Sequence, residues 1–238
     1  MLNHFILIYL IFILFLSTSL SAQTFKSANT QTQLLELYSS QGCSSCPPAE
    51  RWISKQLTHP QLWKQFIPIV FHVDYWDYLG WKDPFSSKLF SQRQRMYHYQ
   101  GGISSVYTPG MLFNGQEWRG WHRGHTLPVS QLKPGILSAE LRDDNLTVKF
   151  QHITPLILHV SLLGFGLSTD VIRGENSGKI FSENFVVLNK VTAHSNDGKW
   201  NLNIPTDSKF PAERYALAIW VNKPDSLKPL QTTGGWID

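Results

Sequence analysis

The chain has 238 residues, of which 42% are hydrophobic and 13% aromatic, so it can bury the core of one large domain or two small ones. Lysine and arginine number 21 against 17 aspartates and glutamates, which gives a formal net charge of +4. Because this charge is small and forms no block of like residues, it does not indicate a nucleic-acid partner, and we predict none.

The first 22 residues differ from the rest of the chain and predict export. Phe5 to Leu16 is an uninterrupted run of 12 apolar residues, and small residues follow it from Ser17 to Ala22. The run is short for a membrane span, and its small-residue end is typical of a signal peptide. We assign residues 1–22 to a signal peptide and expect a secreted or periplasmic protein, with membrane contact only if this segment stays uncleaved.

The next segment carries the only two cysteines of the chain. Leu34 to Tyr38 predicts a buried strand, the turn from Ser39 to Gly42 follows, and Cys43-Ser44-Ser45-Cys46 precedes two prolines that suit the first turn of a helix. Unpaired backbone N–H groups at a helix N-terminus favour an anion. In such motifs the pKa of a cysteine falls from about 8.5 to roughly 3.5–7.5, so Cys43 and Cys46 are candidate reactive thiols.

A strand and an aromatic segment come next. Ile67 to Val73 predicts a central strand, in which His72 is expected to be a core histidine rather than a ligand. The following residues, Asp74 to Lys82, place four aromatic residues within seven positions. Aromatic side chains with polar tips commonly line a cleft, so Trp76 and Trp81 are predicted to form a substrate-binding surface.

A helix and a hairpin are predicted after the aromatic segment. Asp83-Pro84 provides an N-cap and a first-turn proline for a helix that continues to Tyr99. Thr108-Pro109 then precedes the short strand Met111 to Phe113. The dipeptide Asn114-Gly115 favours a type I′ turn, because both residues readily adopt positive φ, and it predicts a hairpin.

Several of these segments together resemble a known family. The segments LELYSSQGCSSCPPAE, FHVDYWDYLGWKDPFSS, RQRMYHY and SVYTPGMLFNG are similar to the secreted thioredoxin-like family known as domain of unknown function 1223. The resemblance covers roughly residues 33 to 121 and continues more loosely through residues 173–178. It implies that Pro109 is a cis-proline beside the cysteines and that the Thr108 backbone holds a substrate segment. By the same analogy Asp74 would relay a proton for the buried cysteine, although a surface aspartate that caps the next turn is an equally good interpretation.

The chain after Pro134 is β-rich and contains no catalytic motif. Six short runs are predicted to be strands, and Asp143-Asp144-Asn145 and Asn196-Asp197-Gly198 are predicted to be hairpin turns. We therefore predict an α/β thioredoxin-like domain over residues 23–132, with a mixed sheet flanked by helices. A β-rich, sandwich-like module is predicted over residues 133–238.

The function that these patterns favour is thiol–disulfide exchange through Cys43 and Cys46, with the redox direction open. The expected partners are exported proteins with thiols or disulfides, small-molecule disulfides, or a protein that recycles the pair. No cofactor and no metal site are predicted, since His98, His122 and His125 show no ligand spacing with the cysteines. Two alternatives stay open: copper or zinc binding by Cys43, Cys46 and His72, and a non-catalytic interaction module with a structural disulfide.

Overall fold

The computed structural model describes residues 22–151 and 155–237. The predicted signal peptide therefore lies, apart from Ala22, outside the described residues. Within them the chain forms two α-helices, α1 (Pro47–Ser54) and α2 (Lys88–Tyr99). It also forms strands β1 (Gln23–Lys26), β2 (Gln33–Ser39), β3 (Phe66–His72), β4 (Gly110–Phe113), β5 (Gln116–Glu117), β6 (Leu137–Arg142), β7 (Asn145–Phe150), β8 (Leu156–Phe165), β9 (Leu167–Val171), β10 (Lys179–Glu183), β11 (Val186–Ser195), β12 (Lys199–Asn203), β13 (Arg214–Asn222) and β14 (Gln231–Ile237).

One eight-stranded mixed sheet joins the two halves of the sequence. Its strand order is β14-β13-β8-β11-β3-β2-β4-β5. β2 lies parallel to β3 and antiparallel to β4, and β11 continues the sheet beside β3 through the parallel pair Val186 and Val70. The amide of Val70 also donates to the Phe185 carbonyl at 2.8 Å. Strands from the C-terminal half thus complete the sheet that holds the cysteine-bearing loop.

The predicted fold class is wrong. Strands make up 41% of the structure and helices 15%, with large mixed and antiparallel sheets, so this is not a helix-flanked α/β thioredoxin fold followed by a sandwich-like module. The physical reason is the position of β3. It does not lie at the edge of a separate N-terminal sheet, because β11 from the C-terminal half pairs with it. The sequence pattern gave no sign of this long-range pairing. The boundary between residues 132 and 133 stays a prediction.

A second sheet covers one side of the C-terminal half. It has four strands in the order β1-β6-β7-β12. A hydrophobic cluster fills the space between this sheet and strands β8 and β13, with Leu146, Val148, Leu158 and Ile219 fully buried in it. β9 and β10 form a separate two-stranded ribbon.

The local turn predictions have mixed outcomes. Asn114 and Gly115 have φ values of 49° and 81°, and they connect β4 to β5 as the predicted hairpin. The turn at 143–145 also forms a hairpin, between β6 and β7. The turn at 196–198 does not, because it carries the chain from β11 in the large sheet to β12 in the small one. This crossover cannot be distinguished from a hairpin by turn residues alone.

The predicted helix after Asp83 begins later than expected. α2 starts at Lys88, and the hydroxyl of Ser87 accepts the Leu89 amide as its N-cap. Asp83 is buried and its carboxylate accepts hydrogen bonds from the amides of Gln41 and Phe85 instead. Between residues 22 and 151 and between 155 and 237, neither helix is long and apolar enough to cross a membrane.

Candidate functional site

The two cysteines form a disulfide at the start of α1. β2 delivers the chain to the turn before Cys43, and the Cα atoms of Cys43 and Cys46 lie 5.5 Å apart. The Cys46 amide donates to the Cys43 carbonyl at 3.2 Å. The Cys46 carbonyl accepts the amides of Ala49 and Glu50 at 2.9 and 3.2 Å, so Cys46 already belongs to the first hydrogen-bonded turn of the helix.

The sulfur atoms lie just below the protein surface. Cys43 is 1% exposed and Cys46 is fully buried, while Ser44 and Ser45 between them are exposed. The Ser45 hydroxyl lies 3.3 Å from the Cys43 sulfur and 3.5 Å from the Thr108 carbonyl oxygen. The exposed Ser45 side chain therefore lies beside both the Cys43 sulfur and the Thr108 backbone.

The structure brings Thr108 and Trp76 next to the cysteine loop. The Thr108–Pro109 peptide bond is cis, as the sequence predicts. The Trp76 indole N–H donates to the Thr108 hydroxyl at 2.7 Å. Trp76 also packs on Gly42, where an added Cβ would lie 2.9 Å from the Trp76 Cβ, so this close approach requires glycine. Their roles in substrate binding stay predictions.

Pro109 borders an open cleft of about 370 Å³. The cleft is lined by Ser105, Tyr107, Pro109, Arg119, Trp121 and His122. Glu117 accepts hydrogen bonds from Tyr107 and Arg119, and although partial burial opposes the anion, these bonds lower the pKa of Glu117 to about 2. The cleft therefore combines two aromatic side chains, Tyr107 and Trp121, with polar residues and the Arg119–Glu117 ion pair.

Two other predicted site residues have defined partners. The Trp81 indole N–H donates to the Gln41 side chain at 3.0 Å, and Trp81 packs against Gly174. The Asp74 carboxylate accepts the hydroxyl of Ser91 on α2. The described side-chain contacts of Asp74 therefore hold α2, and the proton-relay role of Asp74 stays a prediction.

A loop that is distant in the sequence supports the cysteine turn, and no sequence motif indicates this contact. The buried Asn176 side chain donates to the carbonyls of Gln41 and Cys43 at 2.8 and 3.0 Å. The Glu175 carboxylate accepts the Ser44 amide at 3.2 Å, and hydrogen bonding from the Ser44 side chain and then from this amide lowers the pKa of Glu175. The only signal for these residues was the loose resemblance at 173–178, which does not indicate what they touch.

A buried cluster of ionisable residues lies beneath the turn and α1. His72 Nδ1 is 2.7 Å from an Asp83 carboxylate oxygen, and His72 Nε2 is 3.6 Å from Glu183 Oε1. The Ser39 hydroxyl donates to Glu50, and the Gln41 amide group donates to Glu183 at 2.6 Å. His72 is therefore a core residue as predicted, but it sits among three buried carboxylates.

Burial and mutual charge shift the pKa values in this cluster. Burial alone would lower the pKa of His72, but the Asp83 and Glu183 carboxylates outweigh it and raise that pKa to about 10. Burial raises the pKa of Glu183 to about 8 and also raises that of Glu50. Burial opposes the Asp83 anion too, but the His72 cation dominates and lowers the Asp83 pKa.

The sequence offered a partial signal for this cluster. Glu50 follows Cys46 by four residues, a spacing that places both on one face of a helix. No sequence signal marks Glu183, because it belongs to β10, a strand that the sequence pattern did not predict. Its position beside His72 depends on the β9–β10 ribbon folding back over the N-terminal half.

Comparison with known proteins identifies the family. The family described as protein of unknown function DUF1223 matches residues 34–222, and the chain belongs to it. No curated protein matches the chain. The crystal structure of an Agrobacterium tumefaciens structural-genomics target is similar, with 21% sequence identity, a TM-score of 0.62, and coverage of 87% of this chain and 94% of that one.

A second solved structure has a related fold. HBP35 of Porphyromonas gingivalis is 14% identical, with a TM-score of 0.58, and the alignment covers 89% of this chain and 77% of that one. At these identities the likeness concerns the fold alone. The Cys43–Cys46 disulfide, rather than any relative, is therefore the basis for a functional proposal.

Proposed function

We propose that this protein is an exported thiol–disulfide oxidoreductase that acts through Cys43 and Cys46. The observation that carries the proposal is that the only two cysteines of the chain form a disulfide at the first turn of α1. A helix N-terminus stabilises a thiolate leaving group, which makes such a disulfide easier to open. A disulfide also suits a secreted or periplasmic location, which is oxidising.

The proposed reaction consists of two exchanges. A substrate thiolate attacks the Cys43 sulfur, the Cys43–Cys46 bond breaks, and Cys46 leaves as a thiolate. A second substrate thiolate then attacks the substrate sulfur of the mixed disulfide and releases Cys43 as a thiolate. The substrate loses two electrons and becomes a disulfide, and the pair gains those electrons. In the reverse direction Cys43 attacks a substrate disulfide and Cys46 resolves the intermediate.

The surroundings favour Cys43 as the sulfur that meets the substrate. Cys43 lies beside the exposed Ser45 and close to the Thr108 backbone, whereas Cys46 is enclosed within the helix turn. A substrate segment would displace Ser45 and pair with the Thr108 backbone. Trp76 would position Thr108 through its hydrogen bond.

The test is a trapping experiment with two matched single-cysteine variants. Cys46→Ala keeps the attacking cysteine but lacks the resolving one, so it should accumulate covalent complexes with exported proteins that dithiothreitol releases. Cys43→Ala keeps only the buried cysteine and should trap far fewer partners. The outcome that contradicts the proposal is equal trapping by both variants, or no trapped partner and a wild-type disulfide that exchanges with neither glutathione nor dithiothreitol in the folded protein.

A further inference from the structure

Three buried polar atoms of neighbouring residues have no hydrogen-bond partner among the described residues. They are Glu50 Oε2, His72 Nε2 and Glu183 Oε1. Potential ligand atoms of these three residues lie within 4.8 Å of one another. The exposed fractions of the three residues are 7%, 0% and 3%. Such groups are costly to bury without a partner, because they lose their contact with water.

The other polar atom of each side chain is already held in place. The Ser39 hydroxyl bonds the first oxygen of Glu50, and Gln41 bonds the second oxygen of Glu183 at 2.6 Å. Asp83 lies 2.7 Å from His72 Nδ1. Each residue therefore uses one atom for positioning and has one atom without a partner, which is the arrangement expected of ligands with a supporting hydrogen-bond shell.

We propose that this group of residues binds a divalent first-row transition metal ion such as zinc, through Glu50, His72 and Glu183. Zinc bonds to nitrogen and carboxylate oxygen are about 2.0–2.2 Å long, so neighbouring ligand atoms in a tetrahedral site are about 3.3–3.6 Å apart. The 3.6 Å separation of His72 Nε2 and Glu183 Oε1 agrees with this spacing. One imidazole with two carboxylates suits zinc and its neighbours, whereas calcium and magnesium prefer oxygen ligands only.

The orientation of His72 supports a ligand role. When Nδ1 carries the proton and donates to Asp83, Nε2 has a free lone pair and lies 3.6 Å from Glu183 Oε1. Asp83, His72 and the ion would then form the carboxylate–histidine–metal arrangement that fixes ring orientation and raises ligand basicity.

A proton alone does not satisfy the same atoms. A proton on His72 Nε2 would face Glu183 Oε1 at 3.6 Å, which is longer than a hydrogen bond. It would also leave Glu50 Oε2 without a partner. A metal ion would bind one ligand atom of each of the three residues.

The proposed site is independent of the thiol chemistry. The two cysteines are joined to each other and contribute no ligand to this group. The site therefore differs from the alternative copper or zinc site of Cys43, Cys46 and His72. Loss of metal binding would therefore leave the proposed thiol–disulfide exchange untested, and failure of that exchange would not affect the metal site.

The experiment compares metal content in variants of the purified protein. Each variant is unfolded in denaturant that contains a chelator and is refolded with or without zinc chloride. After dialysis its metal content is measured by elemental analysis. Wild type should retain about one zinc per chain, with cobalt giving the visible absorption of a tetrahedral site. Glu50→Gln and Glu183→Gln should weaken binding by about 10- to 100-fold.

Two controls separate ligands from other effects. Glu213→Gln removes an exposed carboxylate and should retain zinc, and the double variant Cys43→Ala/Cys46→Ala should also retain it. Circular dichroism checks that each variant has refolded. The proposal is overturned if refolded wild type holds no stoichiometric metal, if both glutamine variants bind zinc as tightly as wild type, or if the cysteine double variant loses it.

Discussion

Two buried glutamates on opposite sides of β2 have very different surroundings. Glu36 points to one face of the strand and accepts hydrogen bonds from Arg93, Tyr97 and Tyr38, so both of its oxygens are paired. Ser39, three residues later, points to the other face, where its partner Glu50 has an unpaired oxygen. The first cluster has its own cation, whereas the second places three carboxylates around one histidine.

This difference separates a structural role from a binding role. A buried charge with complete partners holds elements together, and here Arg93 and Tyr97 join α2 to β2. Buried polar atoms without partners require a proton, a water molecule or an ion to complete them. Replacing a glutamate by glutamine should therefore change the stability of the protein differently in the two clusters.

The largest effect is expected on the Glu36 side. Arg93→Met removes the cation that is hydrogen-bonded to Glu36 and leaves this buried carboxylate with the hydroxyls of Tyr38 and Tyr97 as its described partners. We expect the free energy of unfolding to fall by about 3–5 kcal/mol. Urea denaturation followed by tryptophan fluorescence measures it.

Arg95→Met is the matched control, because Arg95 is an exposed residue on the same helix. Its effect should stay within about 0.5 kcal/mol. Equal losses of unfolding free energy in the two variants would mean that the effect comes from helix propensity rather than from the Arg93–Glu36 pair.

How much of this the sequence could predict depends on the range of the contact. The strand before Cys43, the helix after it and the Asn114-Gly115 hairpin follow from local patterns, and all three are observed. The pairing of β11 with β3 connects residues that are more than 100 positions apart, and no periodicity records it. This pairing places strands from both halves of the sequence in one mixed sheet, which the predicted fold class did not include.

The candidate site shows the same limit. Cys43, Cys46 and Pro109 were found because a short motif or a resemblance marks each of them. Asn176 and Glu183 reach the site from a loop and a strand far along the chain. They could not be found from spacing, because their positions depend on the tertiary fold.

The second prediction concerns metal removal. If zinc binds the Glu50–His72–Glu183 site, zinc at 100 times its dissociation constant should stabilise the wild-type chain by about 2.7 kcal/mol. Thermal unfolding of chelated and zinc-loaded protein measures this difference. Arg93→Met should gain the same amount from zinc, because its defect lies on the other face of β2. A gain lost in Arg93→Met but kept in Glu183→Gln would contradict the assignment.

The third prediction applies one substitution to both clusters in chelated protein. Glu183→Gln removes one of the three carboxylates around His72, and the oxygen of the new side chain can still accept from Gln41. We expect a gain of about 1–2 kcal/mol. Glu36→Gln should destabilise the chain instead, because it replaces an acceptor that three donors surround. If both substitutions change stability in the same direction, the distinction between the clusters is wrong.

The smallest effect is expected at Lys190, a second cation on the Glu36 side. Its Nζ lies 5.7 Å from the centre of the Trp220 ring, which the Arg93 guanidinium also approaches, and 3.0 Å from His159 Nδ1. Burial, and then the charge of Arg93, lower the pKa of Lys190 to about 7, while Glu36 acts in the opposite direction. One carboxylate therefore faces two cations, the reverse of the imbalance at Glu50.

The sign of the pH dependence follows from this lowered pKa. Between about pH 7 and 10.5 the unfolded chain binds more protons at Lys190 than the folded chain, so this residue makes stability rise with pH across that range. Lys190→Met should remove this slope and, because the side chain is only partly enclosed, stabilise the protein at pH 7 by about 0.5–1 kcal/mol. Urea denaturation at pH 7, 8.5 and 10 measures both. A variant that is less stable than wild type at pH 7 would show that the bond to His159 outweighs the repulsion from Arg93, and that the Glu36 cluster needs both cations.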